Sequence, residues 1–185
     1  MKQLSIWVLI LAFGGANANA EQQQVQMTFS GSVTALVSPI NFVSGGNGPV
    51  EETSFAGTGS LGPFTSRGVS ANSLMPTGFG CRGPNSILFT FVAGAGVYRF
   101  QDGSLLTTKV RSATVCIDLS AGSANDMIIE DITGGTGRFQ NATGTLTTTT
   151  TGDHPVLFDA TGQPVFFAVP KGQITGTIIL PENSH

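Results

Sequence analysis

The chain carries 185 residues, with 8 Lys and Arg against 11 Asp and Glu, and charged residues make up only 10%. No basic cluster accompanies the net charge of −3, so nucleic acid is a poor partner. Sparse charge with 40% apolar residues argues against disorder, and 25 Gly beside abundant Thr, Phe, Val and Ile argues for strands joined by tight turns.

The N-terminus reads as an export signal. Lys2 is a short positive start, Leu4 to Phe13 is an apolar run broken only by Ser5, and Ala18-Asn19-Ala20 is a small-x-small cleavage site. Cleavage would leave Glu21 first, and the apolar run is too short to span a bilayer. Position 21 is Glu rather than Cys, so the lipid-anchored pattern is absent. Residues 1–20 are expected to be a signal peptide, and residues 21–185 one soluble all-β domain in the periplasm or outside the cell.

Period-two stretches then recur without any helical spacing. Val25, Met27 and Phe29 alternate with polar neighbours. Thr53 to Thr58 leads into Leu61 to Thr65 as strand, turn, strand. Ile87 to Ala93 is a strong strand, and Val97 to Phe100 and Ser104 to Ala113 flank Asp102-Gly103, a dipeptide favoured in tight hairpins. Thr114 to Leu119, Met127 to Thr133 and Thr143 to Thr151 follow. Val156 to Phe158 and Val165 to Val169 flank the turn at Asp159 to Gly162, and Gln173 to Leu180 is the last strand. Short, regular strands interrupted by Gly predict a barrel or sandwich. The Thr147–Thr151 run reads as a solvated strand.

Residues 38–50 and 71–86 read as long loops. The second holds Leu74, Met75, Phe79 and Cys81. In an exported chain the even pair Cys81 and Cys116 predicts a disulfide, closing a loop of roughly 36 residues and contributing about 3–4 kcal/mol on the chain-entropy model. The favoured reading is a stapled surface loop that packs its own side chains; the rival is an apolar cap on a barrel opening. Ile87 to Ala93 and Met127 to Ile132 are apolar on both faces, so a subunit interface or a folded-over loop is expected to cover one face, with a homo-oligomer such as a dimer or trimer favoured.

The most distinctive stretch is Gly134 to Gly144. It fails as a dinucleotide fingerprint, because Gln140 falls where the third glycine belongs and a Thr-rich strand follows. It reads instead as a compact turn, with Phe139 plugging the core and Arg138 bonding loop carbonyls or an acid. Gly134-Gly135-Thr136-Gly137-Arg138-Phe139, followed by Ala142 and Gly144, resembles the turn of allene oxide cyclase-like and dirigent-like barrels, including bacterial secreted members of unknown function. Gly57-Thr58, Leu61-Gly62 and Phe64-Thr65 resemble a further stretch of those bacterial proteins, and Asp102-Gly103-Ser104-Leu105 is similar to one of their turns. The resemblance implies a closed or nearly closed eight-stranded antiparallel barrel, calycin-like, often trimeric in plant members. It also implies polar groups inside the barrel that bind or steer a small, largely apolar molecule.

No catalytic residue of those families maps onto this chain. The candidate ligand-binding residues are Tyr98, Glu130, Asp131 and Arg138. Tyr98 is the one tyrosine. Glu130 and Asp131 are adjacent, so on a strand they point to opposite faces, and one of them can face the lumen with Arg138 as partner. A strand-end ion pair is the structural alternative. His154 and His185 are the two histidines, so neither a catalytic triad nor a metal site is expected, and no cofactor is implied. Trp7 lies in the leader and Tyr98 is alone after it, so the aromatic girdles of a membrane barrel are missing and the domain is expected not to be membrane-embedded. The expected function is a non-enzymatic module that binds a small apolar ligand or a partner surface. The alternative is a cyclase or isomerase that uses a lumen acid.

Overall fold

A computed structural model describes residues 20–36, 50–153, 156–158 and 164–181. The leader before Ala20, the 38–49 part of the first loop, His154, the Asp159 to Gly162 turn and His185 lie outside the described residues. Among the described residues ten strands form, all paired antiparallel: β1 (Glu21–Leu36), β2 (Val50–Gly59), β3 (Phe64–Asn72), β4 (Gly78–Phe79), β5 (Ser86–Phe100), β6 (Leu105–Asp118), β7 (Ser123–Gly135), β8 (Thr143–Asp153), β9 (Val156–Phe158) and β10 (Pro164–Leu180). Eight of them run β1-β2-β3-β5-β6-β7-β8-β10, and β10 pairs back onto β1, so the sheet closes into an eight-stranded barrel. The short β4 adds to β5, and β9 adds to the start of β10. The only helical turn among the described residues is Gly137–Phe139.

The strands are longer than their glycine punctuation suggests. Ile87 to Ala93 and Val97 to Phe100 are one strand, because Gly94 and Gly96 lie inside β5 and do not end it. A Cβ at Gly94 would approach Val110 Cγ2 to 2.7 Å, and one at Gly96 would approach Thr108 Oγ1 to 3.1 Å, so these glycines make room for side chains of β6. The 104–113 and 114–119 stretches likewise form the single strand β6. The register shifts at Ala71/Asn72, Thr107/Thr108 and Val110/Ser112. Such bulges bend strands and let a sheet curl into a ring.

One end of the barrel is packed solid. Met27, Leu106, Leu146, Ile174 and Ile178 are all but inaccessible, and Phe139 fills the end beside Phe100, ring centres 4.8 Å apart. The Arg138 guanidinium lies over both rings, 4.6 Å from the centre of Phe139 and 4.9 Å from that of Phe100. Its Nη2 donates to the Leu61 carbonyl, and its Nε is 3.1 Å from Asp102 Oδ2. Gly137 is required in this turn: its φ is +60°, and a Cβ there would meet Ser104 Oγ at 2.4 Å.

At the other end Cys81 and Cys116 are bridged, joining the 71–86 segment to β6. That segment neither packs its own apolar side chains nor turns them onto the barrel. Leu74, Met75 and Phe79 are exposed by 67%, 70% and 79%. For Phe79 the backbone explains this: β4 pairs with Leu88 and Ile87 of β5 and continues the sheet, so its side chain stands on a sheet face.

Candidate functional site

Above the packed end the lumen becomes polar. Strand alternation puts Ala124, Asp126, Ile128, Glu130 and Ile132 of β7 on one face, and Asp126, Ile128 and Glu130 line an internal cavity of about 70 Å³. Tyr98 of β5, Glu51 and Phe55 of β2, and Thr148 and Thr150 of β8 line the same cavity. Phe29, Val33, Phe91 and Val110 supply apolar wall.

Glu130 is 7% exposed and bonded on both oxygens. Thr108 Oγ1 donates to Oε1 at 2.6 Å, while Tyr98 Oη and Thr148 Oγ1 donate to Oε2 at 3.0 and 3.2 Å. Burial and the Glu130 carboxyl raise the Tyr98 phenol well above its ordinary range. Gly96 gives this cluster its space, since a Cβ there would press on Thr108 Oγ1, which bonds Glu130, at 3.1 Å.

A second acid pair lies in the same cavity. In the eight-strand ring β2 is directly across from β7, so Glu51 and Asp126 approach from opposite walls. Asn72 Nδ2 donates to Glu51 Oε1 at 2.6 Å, and Thr150 Oγ1 donates to Asp126 Oδ2 at 2.7 Å. Burial, reinforced by the charge of Asp126, pushes the Glu51 carboxyl up to about 7, with Asn72 pulling partly back. Burial pushes Asp126 up to about 6. No basic side chain compensates. Arg67, the one basic residue on the cavity lining, is exposed and lies between the inward positions Ser66 and Gly68.

Of the four residues singled out in the sequence, the structure brings two together, Tyr98 and Glu130. Asp131 is corrected: with Glu130 inward, its neighbour must point out, and it pairs with Arg111 on the surface through Nε at 3.2 Å and through Nη2. Arg111 holds the Asp131 carboxyl below its usual range. Arg138 is also corrected, since it is spent at the packed end on Leu61, Asp102 and two aromatic rings rather than on Glu130. The Thr147–Thr151 run is only half solvated, because Thr148 and Thr150 are buried and bond the lumen acids. Asp126 had a signal in the sequence, since it alternates with the apolar residues Ala124, Ile128 and Ile132, whereas Glu51, between Pro49 and Thr53 at period two and next to Glu52, had none. Among the described residues no group of His, Cys, Asp and Glu has the geometry to hold a metal ion, and no helix is long and apolar enough to cross a membrane.

No family model matches the chain, and no curated protein matches it. Among solved structures, a pterocarpan synthase dirigent protein is similar with a TM-score of 0.44 and 11% identity, over 90% of this chain and 88% of that one. The barrel itself is established by the strand pairing from β1 round to β10.

Proposed function

We propose that the protein is an exported barrel that binds a small molecule in its lumen without transforming it. The carrying observation is that carboxyl groups and aromatic wall share one internal cavity: Glu51, Asp126 and Glu130 with Phe29, Phe55 and Phe91. At about 70 Å³ the cavity limits the bound part to a few heavy atoms. The leader at 1–20 supports export, and the Cys81–Cys116 bridge supports it too, since such bonds persist in oxidising compartments. The Gly134 to Gly144 turn supports kinship with the dirigent-like and allene oxide cyclase-like barrels.

The test is native mass spectrometry of protein recovered from the export compartment, beside Val110→Phe, which fills the cavity from its wall. A small molecule retained by the natural protein and lost from a folded Val110→Phe supports the reading. Equal occupancy of both proteins, or none in either, overturns it.

A second reading, an isomerase or cyclase, is favoured by one observation. Burial lifts the Glu51 carboxyl to about 7 and the Asp126 carboxyl across the lumen to about 6, so both can exchange protons near neutral pH, as acid–base chemistry in the lumen requires. Conversion of the retained molecule by the natural protein but not by Glu51→Gln would establish it.

A further inference from the structure

Some hydrogen-bond acceptors in the acid cavity are left unserved by the donors around them. Thr108, Thr148 and Tyr98 are used on Glu130, Thr150 on one oxygen of Asp126, and Asn72 on Glu51. Two buried acceptors beside the Glu51–Asp126 pair remain without a partner, Asp126 Oδ1 and Asn72 Oδ1, and the Ser70 hydroxyl lies near Glu51 without reaching full hydrogen-bond geometry. Ser70 is only 6% exposed and is itself part of the cavity lining. Asn72 Oδ1 and the ionised Asp126 Oδ1 can only accept a hydrogen bond, while the Ser70 hydroxyl can donate as well as accept.

A buried acceptor without a donor costs roughly 1–3 kcal/mol, and more when it is a charged group. Two facing carboxyls without a basic side chain add mutual repulsion and desolvation. A ligand that removes these costs must bring several donors, a positive charge and no acceptor of its own. An alkylammonium head fits that description, with three N–H donors on a compact cation. The walls fit the rest of such a molecule, since Phe55, Phe91 and Ile128 line the same cavity and offer apolar contact to a short carbon chain.

We propose that the lumen is a site for a small primary ammonium ion, its head between Glu51 and Asp126 and bonded to Ser70 Oγ, its carbon chain against Phe55 and Phe91. The proposal rests on the lumen-binding reading above and names the chemical class of that ligand. The raised carboxyls agree with it, because they ionise as the cation arrives and release protons on binding.

The experiment titrates the purified protein with n-propylamine, 1-propanol and propionate, which are of similar size and are cationic, neutral and anionic. Binding is read by calorimetry and by the shift in unfolding temperature, at pH 5 and pH 8. The amine is expected to bind and stabilise, more tightly at pH 8 than at pH 5, with 1-propanol weaker and propionate without effect. Asp126→Asn keeps the volume and removes the charge, and it should weaken amine binding about tenfold or more. If that variant does not fold, Ser70→Ala carries the test and should weaken the amine without changing 1-propanol. Equal binding of amine and 1-propanol, or an unweakened variant, overturns the ammonium site while leaving a lumen ligand in place. No binding of any probe overturns the site and counts against the lumen-binding reading together.

Discussion

The Tyr98 hydroxyl donates to Glu130 Oε2 at 3.0 Å, reaching from β5 past β6 to β7 inside the barrel. Strands that are not neighbours in the sheet are thereby tied through the lumen as well as around the wall. Removing that hydroxyl with Tyr98→Phe leaves Oε2 with Thr148 alone. The expected loss is about 1–2 kcal/mol, read by urea unfolding. Thr108→Val should cost a similar amount, because the Thr108 bond at 2.6 Å is the one on Oε1. Because the two bonds serve the two oxygens of one carboxyl group, the double variant should depart from additivity.

Tyr98 is the only tyrosine in the chain, so its titration can be followed by absorbance without overlap from another phenol. Burial and Glu130 both oppose phenolate formation. The native protein should show no phenolate band where free tyrosine forms one, and the band should appear only when the chain unfolds. Titration of the native protein over the ordinary phenol range would contradict the buried pair.

Stability should fall as pH rises through the neutral range. Glu51 at about 7 and Asp126 at about 6 both bind protons more tightly in the folded chain than unfolded carboxyls do. Their contribution is therefore full below the unfolded values near 4 and is lost as pH climbs through about 6 and then 7. Urea unfolding at pH 4.5, 6 and 8 should show this decline. Glu51→Gln and Asp126→Asn should each flatten it and be more stable than the natural protein at pH 8.

The Cys81–Cys116 bridge should contribute about 3–4 kcal/mol, lost on reduction or in the double alanine variant. Hydrogen exchange should change most in the 73–86 segment, which is otherwise held by β4 and a few backbone bonds such as Thr77 N to Leu88 O.

Phe139→Ala should cost about 3–5 kcal/mol by opening a cavity at the packed end. Arg138→Ala should cost less, since its ion pair with Asp102 is partly solvated and the packing over Phe100 and Phe139 is what it mainly loses.

Much of the fold is legible in the sequence. Period-two patterning marks most strands, Asp102-Gly103 marks the β5–β6 hairpin, and Gly134 to Phe139 marks the turn that seals one end. The site is only half legible. Alternation shows that one of Glu130 and Asp131 must face inward, but Ile128 and Ile132 flank Glu130 just as Met127 and Ile129 precede Asp131, so the choice between them is left to the packed barrel. The acid opposite is harder to see. Glu51 is followed by Glu52, so it resembles a solvated strand start, and only ring closure carries it across from Asp126. The Thr run conceals its own period, since inward Thr148 and Thr150 match outward Thr147 and Thr149 in type. Gly94 and Gly96 resemble breaks until the side chains of Val110 and Thr108 are placed against them.

The ring closes through its most distant strands. β1 pairs with β10 from Glu21 opposite Leu180 to Ala35 opposite Phe166. During synthesis β1 can gain β2 early, but its other edge waits until β10 has been made. Closure is thus a late, non-local event, and topologies of that kind fold slowly. A circular permutant that links residue 180 to residue 21 and opens the β5–β6 hairpin would move the waiting edge elsewhere in the barrel.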